Sequence, residues 1–485
     1  MKFAKKLIFC CATALALAIA PAREARATPV IAWTPYAYEL NSGAAIESEL
    51  GALDVPAHRG AGEGVASIGL RFVRIPAARP NAGLPIIYLA GGPGSSGIEA
   101  GRGDRWMLID ALRQEGDVIL LDQRGVGLSS APPPCSTPWT FPNDQASTEV
   151  SFNASLEAGA AVCAAEWRAA GIDLSAFNTA ENASDVADLA RALGGRVRLV
   201  GISYGTFLAF AVLRDHHNLI DSVVLAGIEG PDNTLKLPLQ ADAALEALAR
   251  RVAADPAAAA LTPDLRASVA RVLDRLEQMP VWAEVRGRDG VVTRLLVSKY
   301  DVQSVTAFLL ATTPNAARLP ALYAAMEQGD FSGMGQMVLF LRRFLAPLPP
   351  MALAMDAASP VSRDRHRAVM AQTRQSLFGN AINIPSADFA SALGVPVLPR
   401  RWHSRLGTGV PAYFISGDLD SRTPPANAED VRRGFRSSAH LVLEGAGHDN
   451  DLFLSSPLIV ERIRRFLRGE SMHDETIAVD VLRFH

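Results

Sequence analysis

The chain has 485 residues, of which 49% are hydrophobic and 20% are charged, which is enough apolar material for a large globular core. The formal net charge is only −3 and no basic run occurs beyond the first residues, so nucleic acid is excluded as a partner on electrostatic grounds. Histidine and cysteine do not occur at metal-ligand spacing, so we expect neither a metal nor another cofactor.

Residues 1–27 have the pattern of an export signal. Three lysines at positions 2, 5 and 6 precede an apolar stretch from 7 to 20, and Ala25-Arg-Ala27 is an A-x-A-like cleavage site. The apolar stretch is short for a membrane span. We therefore expect a periplasmic or secreted protein with no stable membrane anchor after signal cleavage.

Strand-type and helical segments alternate through the first half of the remaining chain. Apolar or alternating runs predict strands at 65–75, 84–90, 117–121, 196–200 and 220–226. A helix is predicted over 183–193, opened by Asn182 or Ser184. This alternation predicts an α/β fold with a mostly parallel sheet and helices on both faces.

A glycine turn, Gly91-Gly-Pro-Gly94, follows the strand predicted at 84–90. Gly92 can present its backbone N–H with no side chain in the way, which is what an oxyanion needs, although glycine and proline also form ordinary turns. Asp122 and Arg124 follow the next strand, and we expect their charge-assisted hydrogen bonds to fix the loop beside this turn.

Two cysteines lie beyond the export signal, at Cys135 and Cys163. In an oxidising compartment, a disulfide between them would tie the proline-rich loop at 131–135 to the helical segment at 160–168. The alternative is two free buried thiols.

The segment Gly201-Ile-Ser203-Tyr-Gly205 is a G-x-S-x-G elbow between an apolar strand and an apolar helix. Such an elbow strains the serine and exposes its hydroxyl at the carboxyl edge of a sheet, so Ser203 is the candidate nucleophile. The residue that follows it, Tyr204, would supply the second N–H of an oxyanion hole beside Gly92.

A serine nucleophile needs a base and a carboxylate, and in this fold they follow it in the order acid, then histidine. A buried strand from Val410 is followed by Asp418 and Asp420, either of which could be the acid. The next strand, at 439–444, ends in Gly445-Ala-Gly-His448, and the glycines let that loop fold tightly around His448. Side chains that follow neighbouring parallel strands converge at one edge of the sheet.

Residues 232–406 change to helical periodicity, with segments at 241–254, 261–279, 302–310, 317–328 and 332–345 broken by prolines. We therefore divide the chain into a first core part at 28–231, a mainly helical insertion at 232–406 and a second core part at 407–485.

The chain resembles the prolyl aminopeptidase and tripeptidyl aminopeptidase branch of the α/β-hydrolases, serine peptidase family S33, over about 65–230 and 405–470. The five motifs that carry the resemblance are Gly91-Gly-Pro-Gly94, Asp122-Gln-Arg-Gly-Val-Gly-Leu-Ser129, Gly201-Ile-Ser-Tyr-Gly-Thr206, Gly417-Asp-Leu-Asp-Ser-Arg-Thr-Pro424 and Gly445-Ala-Gly-His448. The resemblance implies an α/β-hydrolase fold in which the insertion forms a cap over the active site. It also implies a triad of Ser203, Asp420 and His448 with Gly92 in the oxyanion hole, and it favours Asp420 over Asp418. The histidine usual before the paired glycines is Ala90 here, which weakens close kinship to the small prolyl enzymes.

These observations predict an exported serine aminopeptidase that acts through an acyl-enzyme and needs no cofactor. Its partner would be a peptide or small ester substrate. Glu229 and Asp232 are placed where they could receive the substrate ammonium near the root of the cap, and the alternative is that they are ordinary loop carboxylates. An exported carboxylesterase and a non-catalytic binding protein of the same fold are the alternatives. The sequence does not fix the oligomeric state.

Overall fold

The computed structural model describes residues 30–60, 66–480 and 482–484. The predicted export signal lies outside these residues. Within them, the strands are β1 (Ala32–Glu39), β2 (Ala45–Pro56), β3 (Ser67–Ile75), β4 (Ile86–Leu89), β5 (Val118–Asp122), β6 (Val197–Ser203), β7 (Ile220–Ile228), β8 (Val281–Arg286), β9 (Val292–Val297), β10 (Ala412–Gly417), β11 (Ser438–Glu444) and β12 (Glu475–Ala478).

The helices of the two core parts are short or medium in length. They are α1 (Gly97–Ala100), α2 (Trp106–Leu112), α3 (Glu149–Ala169), α4 (Thr179–Ala192) and α5 (Tyr204–His216) before the insertion, and α16 (Pro425–Arg432), α17 (Asp451–Leu454) and α18 (Pro457–Leu467) after it. Those of the insertion are α6 (Leu239–Ala254), α7 (Pro256–Leu261), α8 (Leu265–Gln278), α9 (Lys299–Leu309), α10 (Thr313–Ala316), α11 (Leu319–Glu327), α12 (Ser332–Leu345), α13 (Pro350–Ala358), α14 (Arg363–Thr373) and α15 (Phe389–Leu393).

Ten strands form one sheet in the order β1-β2-β3-β5-β4-β6-β7-β10-β11-β12. The strands from β5 to β12 pair in parallel, whereas β1, β2 and β3 extend the sheet antiparallel at one edge. The predicted fold class, a mostly parallel sheet with helices on both faces, is confirmed. β1 and β2 were not predicted, and Pro35 within β1 is compatible with a strand because β1 lies at the edge of the sheet.

Alternation along the strands divides the core between the two faces of the sheet. In β4, Ile87 and Leu89 pack with the helices α3 to α5, whereas Ile86 and Tyr88 pack with α2 and α18. Both faces of the parallel strands are thus covered, which is why the central residues of strands such as β4 and β5 are apolar and buried. Cys135 and Cys163 are joined by a disulfide, which ties the loop before α3 to that helix.

Local signals explain where the structure differs from the predicted helices. α4 begins at Thr179 because the side chain of Asn178 accepts the N–H of Glu181 and caps the helix before the expected start at 182–184. The predicted helix at 261–279 is interrupted, since Asp264 caps the new helix α8. The antiparallel pair of β8 and β9 was missed within the insertion.

The insertion leaves the sheet after β7 and returns at β10, and these two strands are neighbours in the sheet. The insertion therefore begins at the carboxyl end of β7, and the chain re-enters the sheet at the amino end of the parallel strand β10, so the sheet is not interrupted. None of the described helices is by itself long and apolar enough to cross a membrane, although α12 and α13, which meet at 85°, reach that length and composition together.

Candidate active site

Ser203 ends β6 and precedes the first residue of α5, with φ 54° and ψ −124°. This backbone conformation is strained for any residue but glycine, as an elbow requires. A Cβ atom on Gly205 would lie 2.1 Å from the carbonyl oxygen of Leu89, so only glycine lets α5 start this close to β4. The chain turns sharply here and leaves the Ser203 side chain at the carboxyl edge of the sheet.

The glycine turn lies directly beside Ser203, because β4 is the neighbour of β6. A Cβ on Gly91 would be 3.1 Å from the Cβ of Ser203. Gly92 has φ 113°, and a Cβ there would lie 2.8 Å from the backbone nitrogen of Gly94. Tyr204 opens α5, where backbone N–H groups have no partner within the helix. The two candidate oxyanion donors, Gly92 and Tyr204, thus belong to segments on either side of Ser203.

Asp420 and His448 are in direct contact, with 2.7 Å between Asp420 Oδ2 and His448 Nδ1. The other carboxylate oxygen of Asp420 accepts the N–H groups of Arg422 and Thr423, each at 2.8 Å, and the Thr423 hydroxyl donates to Oδ2 at 2.6 Å. Burial alone would raise the pKa of Asp420, but the interaction with His448 and the hydrogen bonds outweigh it, so the pKa is held below its usual value. An ionised Asp420 can hold the imidazole with Nδ1 protonated, which leaves Nε2 to act as a base.

The ring of His448 packs against the strand next to Ser203. A Cβ on Gly227 of β7 would be 2.9 Å from His448 Cε1, and the next residue in β7, Ile228, pairs with Ser203. No hydrogen bond joins Ser203 to His448 among the described residues. Such bonds often tighten only when substrate binds.

Asp418, the alternative acid, has other partners. Its Oδ1 accepts the N–H of Gly445 at 2.7 Å, and its Oδ2 accepts a hydrogen bond from Arg251 at 2.8 Å. Asp418 therefore ties the loop after β11 to α6, and it is not the carboxylate in contact with His448.

A second serine-histidine-carboxylate set lies in the core beneath α16. His440 contacts Glu429 at 2.7 Å through Nδ1 and Ser416 at 3.0 Å through Nε2. Ser416 is 0% exposed and lies inside β10 rather than at an elbow, so no substrate reaches it. Burial also lowers the pKa of His440. This set is a packed hydrogen-bond network and not a rival site.

Asp122 and Arg124 differ in what they hold. Asp122 accepts the Ser96 hydroxyl at 2.5 Å and the Ile98 N–H at 3.2 Å, so it fixes the segment after the glycine turn, as expected. Arg124 instead reaches Asp185 of α4, at 2.6 Å from its Nε. The expectation that Arg124 also fixes the turn is wrong, because its side chain points towards α4.

The two carboxylates expected to bind a substrate ammonium have protein partners. Glu229 is buried and forms an ion pair with Lys236 at 2.6 Å. Asp232 accepts the N–H and the hydroxyl of Ser362, both at 2.6 Å, and so holds the residue that caps α14. Asp232 is thus committed to the root of the cap, which the sequence could not indicate because Ser362 is distant in the chain.

A third carboxylate, Asp356, was missed from the sequence. It lies on α13, which packs over the elbow: Ala352 contacts Gly94, and the Tyr204 hydroxyl contacts the sulfur of Met355 at 2.7 Å. The Asp356 side chain is solvent-accessible although many protein atoms lie around it, and the charges of Glu229, Lys236 and Arg422 act on it. A lone acid in the apolar helix Pro350–Ala358 was the signal that could have drawn attention to it.

Charge is concentrated around Asp356. Burial, together with the charge of Glu229, raises the pKa of Asp356 to about 7, while Lys236 and Arg422 act in the opposite direction. Burial lowers the pKa of Lys236 even though Glu229 is its partner. No hydrogen bond to the Asp356 carboxylate is found within the described ranges. Of the three carboxylates Glu229, Asp232 and Asp356, Asp356 is therefore the one for which no hydrogen-bond partner is found in the part of the chain that the structure describes.

A separate cavity of about 160 Å³ lies at the root of the cap, lined by residues that include Asp232, His403 and Asp430. Its lining contains none of Ser203, Asp420 and His448. It is thus a feature of the cap root and does not belong to the candidate site.

Comparison with protein families matches residues 85–452 to the alpha/beta hydrolase fold. The comparison with curated proteins finds no match. Among solved structures, a thermophilic esterase from Thermogutta terrifontis is 15% identical with a TM-score of 0.36, over 87% of this chain and 99% of that chain. An epoxide hydrolase from an endophytic Streptomyces is 15% identical with a TM-score of 0.38, over 93% and 99%. A structure from Mycobacterium tuberculosis is 15% identical with a TM-score of 0.41, over 87% and 100%.

Proposed function

The chain belongs to the α/β-hydrolase fold family, and from this membership we propose that it is a serine hydrolase that acts as an aminopeptidase on peptides with a free N-terminus. Ser203 is the nucleophile, His448 the general base and Asp420 the carboxylate that orients it. The elbow conformation of Ser203 and the 2.7 Å contact between Asp420 and His448 support these roles.

The reaction is acyl transfer in two steps. His448 Nε2 takes the Ser203 proton as the oxygen attacks the scissile carbonyl, and the N–H groups of Gly92 and Tyr204 stabilise the oxyanion. His448 then gives the proton to the leaving amine, which departs and leaves an acyl-enzyme. Water, deprotonated by His448, attacks the ester and releases the acid and free Ser203.

The observation that favours a peptidase over a plain esterase is the unpaired Asp356 carboxylate beneath the cap. A carboxylate in an enclosed space is costly unless a cation compensates it, and a substrate ammonium would do so. Lys236 is paired with Glu229, and Arg422, whose charge also acts on Asp356, donates to the carbonyl of Ile382, so Asp356 is the carboxylate whose oxygens are left to accept an ammonium. We therefore move the ammonium site from the pair Glu229 and Asp232 to Asp356.

We expect N-acetylation of a good peptide substrate to lower kcat/KM by about tenfold or more, because acetylation removes the charge that compensates Asp356. In Asp356→Asn the penalty for acetylation should shrink to about twofold, mainly through weaker cleavage of the free peptide. The measurement is kcat/KM for matched free and acetylated peptides with both proteins.

Asp364→Asn is the matched control, since Asp364 is a cap carboxylate whose side chain is 84% exposed. This control should keep the full penalty for acetylation. Equal cleavage of free and acetylated peptides by the wild type, or turnover of simple esters alone, would reject the aminopeptidase and favour a carboxylesterase.

The preference for a free amine should also depend on pH. Burial and Glu229 raise the pKa of Asp356 to about 7, so below that pH the carboxyl is protonated and offers no charge. Above about pH 8 the substrate α-amino group loses its proton. The ratio of kcat/KM for free and acetylated peptides should therefore rise as the pH rises through 7 and fall again above about 8. Using this ratio cancels the titration of the general base, and a ratio that stays flat from pH 5 to 9 in the wild type would contradict the role of Asp356.

Export is part of the proposal. The disulfide between Cys135 and Cys163 supports it, because such bonds persist in oxidising compartments. We propose that residues 1–27 direct the chain to the periplasm or the medium, where peptides are the substrates.

A further inference from the structure

The loop that carries His448 is bound to the cap by a backbone hydrogen bond. The N–H of His448 donates to the carbonyl of Ala311 at 2.6 Å. Ala311 lies two residues beyond α9, so the end of a cap helix holds the backbone of the candidate base.

The side chain of Asp451 forms a second link between the cap and this loop. Thr313, the first residue of α10, donates its N–H at 3.1 Å and its hydroxyl at 2.7 Å to Asp451 Oδ2. The same oxygen accepts the N–H of Gly447 at 3.0 Å. One carboxylate oxygen thus joins the cap to the residue before His448.

There is little room for the loop to shift towards the cap. A Cβ on Gly447 would lie 2.9 Å from the Ala311 carbonyl oxygen and 3.0 Å from Asp451 Oδ2. On the core side, buried Arg105 donates to Asn450 at 3.0 Å and to the Tyr88 hydroxyl at 2.7 Å. The loop is therefore held from two sides, and one of those sides belongs to the cap.

We propose that Thr313 and Asp451 are positioning residues for His448, so that the seating of the cap sets the orientation of the general base. The inference rests on the proposed role of His448 in hydrolysis. A displacement of about 1 Å in a catalytic group can cost on the order of 10²-fold in rate. The cap then has a function besides enclosing the substrate.

The test is Thr313→Val, which removes the hydroxyl and keeps the volume. We expect kcat to fall about tenfold or more with KM within about twofold, because substrate contacts are untouched. The rate at which a fluorophosphonate labels Ser203 should fall by a similar factor, since that reaction needs the same base. Thr313→Ser keeps the hydroxyl and should restore both rates to within about threefold of the wild type.

Thr262→Val is the matched control. Thr262 is a buried cap threonine whose hydroxyl donates to the Pro320 carbonyl at 2.9 Å, remote in the chain from the 447–451 loop. It should leave kcat and the labelling rate unchanged. Wild-type rates in Thr313→Val, equal losses in Thr262→Val, or no rescue by Thr313→Ser would each overturn the inference. If the probe labels the wild type but no peptide is cleaved, the proposed aminopeptidase function is rejected. The inference about Thr313 can then still be tested from the labelling rates alone.

Discussion

Replacement of Ser203 by alanine is expected to lower kcat by on the order of 10⁶-fold while the fold stays intact, since the change removes the nucleophile of a triad and adds no volume. The strained backbone at φ 54° is set by the elbow, not by the hydroxyl. The measurements are turnover of the best substrate, labelling by a fluorophosphonate, and the thermal midpoint of unfolding.

Ser416→Ala is the matched control because Ser416 also bonds to a histidine, at 3.0 Å from His440 Nε2, but has no access to solvent. This variant should stay within about threefold of wild-type turnover and should label normally. Substantial turnover by Ser203→Ala, or loss of labelling only in Ser416→Ala, would reject the assignment of Ser203.

Asp420→Asn should lower kcat by on the order of 10⁴-fold, because an amide that donates to Nδ1 stabilises the wrong tautomer of His448. Asp420 is the carboxylate at 2.7 Å from that ring nitrogen. Asp418→Asn is the control, and it should cost less than about tenfold because its amide oxygen can still accept the N–H of Gly445. The measurement is kcat from steady-state kinetics for both variants. A larger loss of kcat in Asp418→Asn than in Asp420→Asn would assign the acid role to Asp418.

The core of the fold could be predicted because each parallel strand carries its own local signal. The central parts of these strands, such as 118–121 and 223–226, are apolar without interruption, as strands covered on both faces require. β1 is the edge strand and β2 lies next to it, and both are partly exposed, so their residues mix apolar and polar types. In the insertion, the sequence could predict that helices form. Where each helix begins depended on cap residues such as Asp264, the N-cap of α8.

The candidate site also has a part that the sequence could predict and a part that it could not. Ser203, Asp420 and His448 each follow a strand within a short motif, so the sequence alone predicts that they meet at one sheet edge, and their catalytic roles stay predictions. The contacts of Asp232 with Ser362 and of Asp451 with Thr313 join positions more than a hundred residues apart. Local patterns carry no information on such pairs, and the same holds for the accessibility of Asp356.

The place where the insertion leaves and rejoins the sheet has a consequence for the growing chain. The strands β5, β4, β6 and β7 precede the whole insertion, whereas β10 and β11, which lead to Asp420 and His448, follow it. During synthesis the proposed nucleophile, Ser203, is therefore made long before the proposed base, His448. A serine hydroxyl without a base is a weak nucleophile. With the proposed roles, the unfinished chain would be inactive until the last strands dock beside β7.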